Sequence, residues 1–275
     1  MEARIVYGEC SKCADFCTEY NNSSYHELTQ TDKEEAEKDN VCAYCGCSKY
    51  IHVKYAFESI REWEAYQNIC NLYRDYGMSK ALDASVADTE KLQFARDNYT
   101  YGEISFISFQ KILRSAQSKA GDIFYDLGCG AGKPVAYAAF AFAFSKCVGI
   151  EQLPHVCELG KKFADEYAKG VETKRWKHTN YNLLPTIGII EGSFLEVDFS
   201  EADIIYLACT TFTEELMESI AKQCKKLKKG SRVITLSKPM PSIFEPGCII
   251  SFRVFHNQDF VMTWGLEPVF FNIKE

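Results

Sequence analysis

An aspartate and three glycines at alternate positions, Asp126, Gly128, Gly130 and Gly132, join an apolar run, Ile123–Leu127, to a proline at 134. Glycine lets the backbone turn tightly and lets a ligand come close where a Cβ would collide. Pro134 suits a first helical turn, because its fixed φ fits and its missing N–H would be unpaired there anyway. The spacing D-x-G-x-G-x-G is not the dinucleotide fingerprint G-x-G-x-x-G. Taken alone, such a loop could hold a cofactor, hold a nucleotide or be a structural turn. Glu151 stands 25 residues beyond Asp126, at the end of a second apolar run, Val148-Gly-Ile-Glu151. A carboxylate there can accept both hydroxyls of a ribose held over the loop. After a third run comes Glu191-Gly-Ser-Phe194, where Phe194 offers a ring face to a base and Ser193 or a backbone amide can bond its edge.

A second constellation is metal-like. Cys10-Ser-Lys-Cys13 and Cys42-Ala-Tyr-Cys45-Gly46 are two C-x-x-C pairs about 28 residues apart. Each turn aims two sulfurs at one point, and two such knuckles make a tetrahedral zinc site of Cys10, Cys13, Cys42 and Cys45. Cys17, Cys47, His26 and His52 remain open as alternative ligands. Residues 1–48 hold ten acidic and four basic side chains, so they carry nearly all of the net charge of −7. The remainder is close to neutral and has no broad nucleic-acid footprint. No apolar run approaches the roughly 20 residues that span a bilayer, and Met1-Glu-Ala-Arg4 opens no signal-peptide core. The expected location is nuclear or cytoplasmic, not secreted, with reduced thiols.

Alternating strand and helix patterns are what would position the loop. Strands are expected at Ile123–Leu127, Cys147–Ile150, Thr186–Ile190, Ile204–Ala208, Arg232–Leu236, Cys248–Phe255 and Val269–Ile273. Helices are expected near Ser105–Lys119, Lys133–Phe144, His155–Tyr167 and Glu214–Lys226. This pattern predicts an α/β fold with a mostly parallel sheet covered on both faces and an antiparallel terminal hairpin. Residues 49–96 read as helices, with Ala56, Ile60, Trp63, Tyr66, Ile69, Cys70 and Tyr73 on one apolar face and Gly77 as a stop. Three parts follow: a Cys-rich acidic module at 1–48, a helical segment at 49–96 and a catalytic domain at 97–275.

The glycine loop and Glu151 together have the form typical of S-adenosylmethionine methyltransferases, which predicts that cofactor and the class I, Rossmann-like fold. Asp126 is then expected to reach the ammonium of its methionine portion. From about residue 97 onward the chain resembles the disruptor-of-telomeric-silencing family, the non-SET histone-lysine methyltransferases. The likeness rests on Tyr101-Gly-Glu-Ile-Ser105, Phe124–Gly132, Gly149-Ile-Glu151, Glu191-Gly-Ser-Phe194, Gly230–Ile234 with Ser237-Lys-Pro239, and Trp264–Ile273. The resemblance implies that Tyr101 and Glu103 belong to a lid over the cofactor, that Glu151 binds its ribose and that Phe194 contacts its adenine. It further implies a narrow lysine channel walled by Phe212, Trp264 and Phe270. Three positions depart from the family pattern. Ser193 replaces an aspartate, Lys133 replaces a glutamine, and Ala208-Cys-Thr-Thr-Phe212 replaces paired asparagines near the point of methyl transfer.

The reading that results is a protein-lysine N-methyltransferase whose partner is a protein with an accessible lysine, a histone being one candidate. No membrane is implied, nor nucleic acid except through a chromatin substrate. Its rivals are a class I methyltransferase acting on RNA or a small molecule, and a non-catalytic adaptor that binds the cofactor.

Overall fold

The computed structural model describes residues 5–10, 52–56, 60–73, 78–92, 102–104, 106–177, 180–262 and 265–275. Strand β1 (Ile5–Cys10) pairs antiparallel with β2 (His52–Ala56) in a two-stranded sheet. Helices α1 (Ile60–Tyr73), α2 (Met78–Leu92) and α3 (Phe106–Ser115) follow. Then come β3 (Ile123–Leu127), α4 (Lys133–Ala141), β4 (Lys146–Glu151), α5 (Pro154–Glu172) and β5 (Thr186–Glu191). The chain continues with β6 (Ile204–Leu207), α6 (Glu214–Gln223) and β7 (Arg232–Leu236). It closes with β8 (Ile243–Glu245), β9 (Cys248–Ile250), β10 (Phe252–Met262) and β11 (Gly265–Lys274).

Seven strands form one sheet in the order β10-β11-β7-β6-β3-β4-β5. Neighbours from β7 to β5 run parallel, and β11 is antiparallel to both β7 and β10. Strands buried on both faces read as continuous apolar runs, and alternate side chains feed two cores. From β3 and β6, Phe124 and Tyr206 join Phe109, Tyr137 and Phe140 on one face. Tyr125, Ile205 and Leu207 join Met217 and Ile220 of α6 on the other. Phe109 meets the rings of Phe124, Tyr137 and Tyr206 at 5.9, 6.0 and 5.2 Å. Strand order reverses at β3, with β4 to one side and β6 to the other. The crevice beyond the carboxyl ends of strands at such a point is where open α/β sheets bind ligands.

The expected fold is present, with several differences of detail. Residues 49–96 are not wholly helical, because His52–Ala56 is a strand with Ile5–Cys10 as its partner. On α1 the buried Tyr66, Ile69 and Tyr73 carry the expected face, with Cys70 half-buried. The side chains of Ala56, Ile60 and Trp63, and residue Gly77, lie outside what is described. The expected strand Cys248–Phe255 is two strands. Its first part pairs back on β8 through a Pro246-Gly247 turn, in which Gly247 takes φ 79°. Its second part begins β10, which reaches Met262 and carries a bulge between His256 and Asp259.

Candidate functional site

A cavity of about 520 Å³ opens at the C-terminal ends of the central strands and is lined by residues between Ser85 and Leu216. Its floor is the glycine loop. Gly128, Gly130 and Gly132 have φ of 82°, 54° and 79°, the left-handed region that favours glycine. The amides of Gly128 and Cys129 both donate to Ile150 O, at 2.9 and 3.0 Å, which binds the loop to the end of β4. Packing there leaves no room to spare. A Cβ on Gly149 would stand 2.4 Å from Cys129 Sγ and 2.7 Å from its Cβ. Gly132 caps α4 and is not part of the cavity wall; a Cβ there would meet Ile189 Cδ1 at 3.2 Å.

Glu151 reaches across from β4. Its Oε2 accepts the Gly130 amide and its Oε1 the Leu153 amide, each at 2.8 Å. A carboxylate has about four lone-pair sites, so these bonds leave it acceptor capacity, and Glu151 lines the cavity. Burial raises its pKa, and the amides of Leu153, Gly130 and Gln152 oppose that rise. Asp126 is 1% exposed, and its Oδ2 is a buried atom with no hydrogen-bond partner. Burial, and after it the charge of Glu151, hold its carboxyl well above the ordinary range. The thiol of Cys129, which also lines the cavity, is raised chiefly by burial.

Glu103 lines the cavity and makes a buried ion pair with Lys133, 2.7 Å long. Neighbouring Ile104 bridges Met262 at the end of β10, which ties the segment 102–104 to the terminal hairpin. Ser193 and Phe194 line the wall, and Phe194 stacks on Phe212 with ring centres 6.0 Å apart. Thr210 and Thr211 complete the wall after β6. Phe270 lies half-buried on β11 opposite Thr235 and is not among the lining residues. Tyr101 and Trp264 fall outside the described residues.

The metal set falls largely outside them as well. Cys13, Cys42 and Cys45 are not described, and Cys10 is described only as the last residue of β1. Among the described residues no group of three His, Cys, Asp or Glu side chains could hold a metal ion.

Some contributors carried no motif. Leu153 and Val156 come from the start of α5, Ser85 from α2 and Tyr206 from β6. Asp88 of α2, 1% exposed, accepts the amides of His155 at 2.8 Å and Val156 at 3.3 Å and also bonds the His155 ring. It caps the first turn of α5, whose own preceding residue, Leu153, supplies no cap.

The site can take a cationic, ribose-bearing ligand. Three carboxylates (Glu103, Asp126, Glu151) face it against one ammonium (Lys133). A buried carboxylate oxygen without a partner awaits a donor, and the loop offers backbone where side chains would block approach. S-adenosylmethionine has an ammonium, a sulfonium and a ribose diol, so these residues fit it.

A family model described as "Histone methylation protein DOT1" matches residues 83–255. A "Protein-lysine N-methyltransferase" of Saccharolobus islandicus (strain REY15A) is 31% identical over 126 residues, covering 46% of this chain and 68% of that one. A "Histone-lysine N-methyltransferase, H3 lysine-79 specific" of Aspergillus fumigatus is 23% identical, over 60% of this chain and 32% of its relative. The corresponding protein of Dictyostelium discoideum is 29% identical over 53% of this chain, yet only 8% of the relative is covered. The chain thus spans about two thirds of the archaeal relative and a third or less of the two H3 lysine-79 relatives.

Proposed function

This chain belongs to the histone methylation protein DOT1 family, and on that premise we propose that its cavity serves methyl transfer from S-adenosylmethionine to the amine of a protein lysine. It is an S-adenosylmethionine-dependent protein-lysine N-methyltransferase of class I fold. The observation that carries the reading is the unpartnered Asp126 carboxylate at the end of β3, beside the glycine loop and Glu151. When bound, the cofactor supplies an electrophilic methyl group on a sulfonium. Asp126 and Glu103 hold its cationic methionine portion, Glu151 its ribose, and Phe194 with Ser193 its adenine. Phe212 walls the side from which the acceptor enters, with Tyr101, Trp264 and Phe270 kept in the same proposal as lid and channel residues. The apolar wall disfavours the charged form of an entering lysine, and methyl transfer then needs mainly positioning.

The partner is proposed to be a histone, which the names of the relatives support, and the location nuclear. Among the described residues no helix is long and apolar enough to cross a membrane. Radiolabelled cofactor offered together with core histones, RNA and small metabolites tests the acceptor. Label should appear as methyl-lysine after protein hydrolysis. Label only in RNA or metabolites overturns the lysine reading, and cofactor binding without transfer to any pool favours an adaptor.

The three-part organisation also stands as a proposal, with residues 52–56 drawn into the N-terminal module by their pairing with β1. Cys10 and His52 are partners in that register, which supports a structural zinc ion held there by cysteines from 10, 13, 42 and 45 with His52 as an alternative. Protein purified without chelator should contain about one zinc per chain. A metal-free chain whose stability does not respond to added zinc would remove that ion from the account.

A further inference from the structure

Where β6 ends, Thr210 lines the cavity, and two polar side chains stand behind it. Ser237 Oγ lies 2.9 Å from Thr210 Oγ1 and is bonded as well to the carboxylate of Glu267 on β11. Ser237 is the first residue past β7 and holds φ 67°, a conformation that costs energy for a residue with a Cβ. Its amide donates to Pro268 O at 2.8 Å, which fixes it against β11. The nearby cation, Lys238, donates instead to Phe212 O at 2.6 Å.

Proton counting gives this chain a direction. A hydroxyl has one proton, and an ionised carboxylate only accepts. The Ser237 proton therefore goes to Glu267, and the Ser237–Thr210 contact is filled by the Thr210 proton. Thr210 has then used its only donor away from the cavity, and its oxygen offers lone pairs alone.

We propose that Glu267, Ser237 and Thr210 form a polarised hydrogen-bond chain that makes this part of the cavity read an N–H donor. Thr210 touches the acceptor nitrogen, and Ser237 and Glu267 act as positioning residues. The idea rests on the lysine-methyltransferase reading above and names the group that selects the amine. Its chemical logic is that methylation uses the nitrogen lone pair. A protein acceptor engages an N–H and leaves that lone pair free, whereas a protein donor would occupy it. The chain lies where the family resemblance implies paired asparagines near the point of methyl transfer.

The test uses the full chain and four variants: Glu267→Gln, Glu267→Lys, Ser237→Ala and Thr210→Val. Initial rates of methyl transfer to core histones give acceptor KM and kcat, and calorimetry gives S-adenosylhomocysteine affinity. Ligand-observed NMR follows n-butylammonium, the end of a lysine side chain, on the chain loaded with S-adenosylhomocysteine. Glu267→Gln keeps an oxygen that accepts from Ser237 and should stay within about threefold of wild type, while Glu267→Lys forces the chain to run backwards and should raise acceptor KM about tenfold or more. Thr210→Val and Ser237→Ala should fall on the same side as Glu267→Lys, with S-adenosylhomocysteine affinity little changed and n-butylammonium weakened in parallel. Unchanged KM in Glu267→Lys and Thr210→Val overturns the proposal. So does Glu267→Gln failing as badly as Glu267→Lys, or S-adenosylhomocysteine affinity falling in step with transfer. If wild type methylates no protein lysine but n-butylammonium still weakens in these variants, the substrate reading fails and the polarised chain stands.

Discussion

The glycine-loop end of the cavity and the Thr210 end are built differently. The first comes from one β–α–β unit, Asp126 to Leu153, and its bonds are backbone amides to a carboxylate or to a carbonyl. The second is gathered from the turns after β6 and β7 and from β11, and side-chain hydroxyls and a carboxylate hold it together. A site made of backbone recognises shape and tolerates no added atom. A site made of side chains can be rewritten one substitution at a time. An invariant ligand suits the first construction, and a variable one suits the second. The departures from the family pattern fall at both ends: Thr210 and Thr211 stand where the resemblance implies asparagines, and Lys133 and Ser193 differ at the cofactor end although the glycine loop is intact.

The largest break in this contrast should come from Gly149→Ala, which adds a methyl where Cys129 Sγ would be 2.4 Å away. Overpacking of this kind costs about 1–3 kcal/mol, and S-adenosylmethionine binding by calorimetry should weaken by about 100-fold or more because the loop itself must move. Glu151→Ala should weaken binding by about 10- to 100-fold, the loss of bonds to a charged acceptor. The melting temperature should fall too, because Gly130 and Leu153 lose their acceptor; unchanged affinity in a folded variant would refute the ribose assignment.

Asp126→Asn sharpens the comparison by separating binding from stability. The folded pKa of Asp126 is raised above its unfolded value. Its contribution to stability is therefore complete below about pH 4 and is lost as pH rises through the folded value. A bound cation favours the ionised form, so binding should release protons and tighten as pH rises through the same window. In Asp126→Asn both dependences should flatten, with affinity about tenfold weaker and the unliganded chain at least as stable at neutral pH. The smallest effect is expected from Asp88→Ala, where loss of the α5 cap should cost about 1 kcal/mol in denaturant unfolding.

The same contrast governs what the sequence reveals. Asp126, the three glycines and Glu151 could be read because turn chemistry and strand ends are local, and the parallel strands announce themselves as apolar runs. Thr210, Ser237 and Glu267 could not be read as one chain, because 57 residues separate the first from the last and it takes the β6–β7 and β7–β11 pairings to bring them together. Asp88 carries no motif, and nothing in its neighbourhood signals a helix terminus 67 residues away. The β8–β9 hairpin did carry a signal, Pro246-Gly247, but strands of three residues are too short for a period-2 pattern to show. Beyond His52–Ala56 stand Ile60, Trp63, Tyr66, Ile69, Cys70 and Tyr73 at helical spacing, which points the whole segment towards a helix.

The crowding of Gly149 against Cys129 also constrains how this protein can change by descent. The two positions share one small volume although they sit on different elements of the unit, so substitutions at them cannot be accepted in either order. A side chain at 149 becomes admissible only after 129 has given up its own, because even an alanine at 129 would keep the Cβ that stands 2.7 Å from the new one. Each position thus sets the alphabet available to the other. In a lineage of this chain, loss of glycine at 149 would be a marker of earlier change at 129.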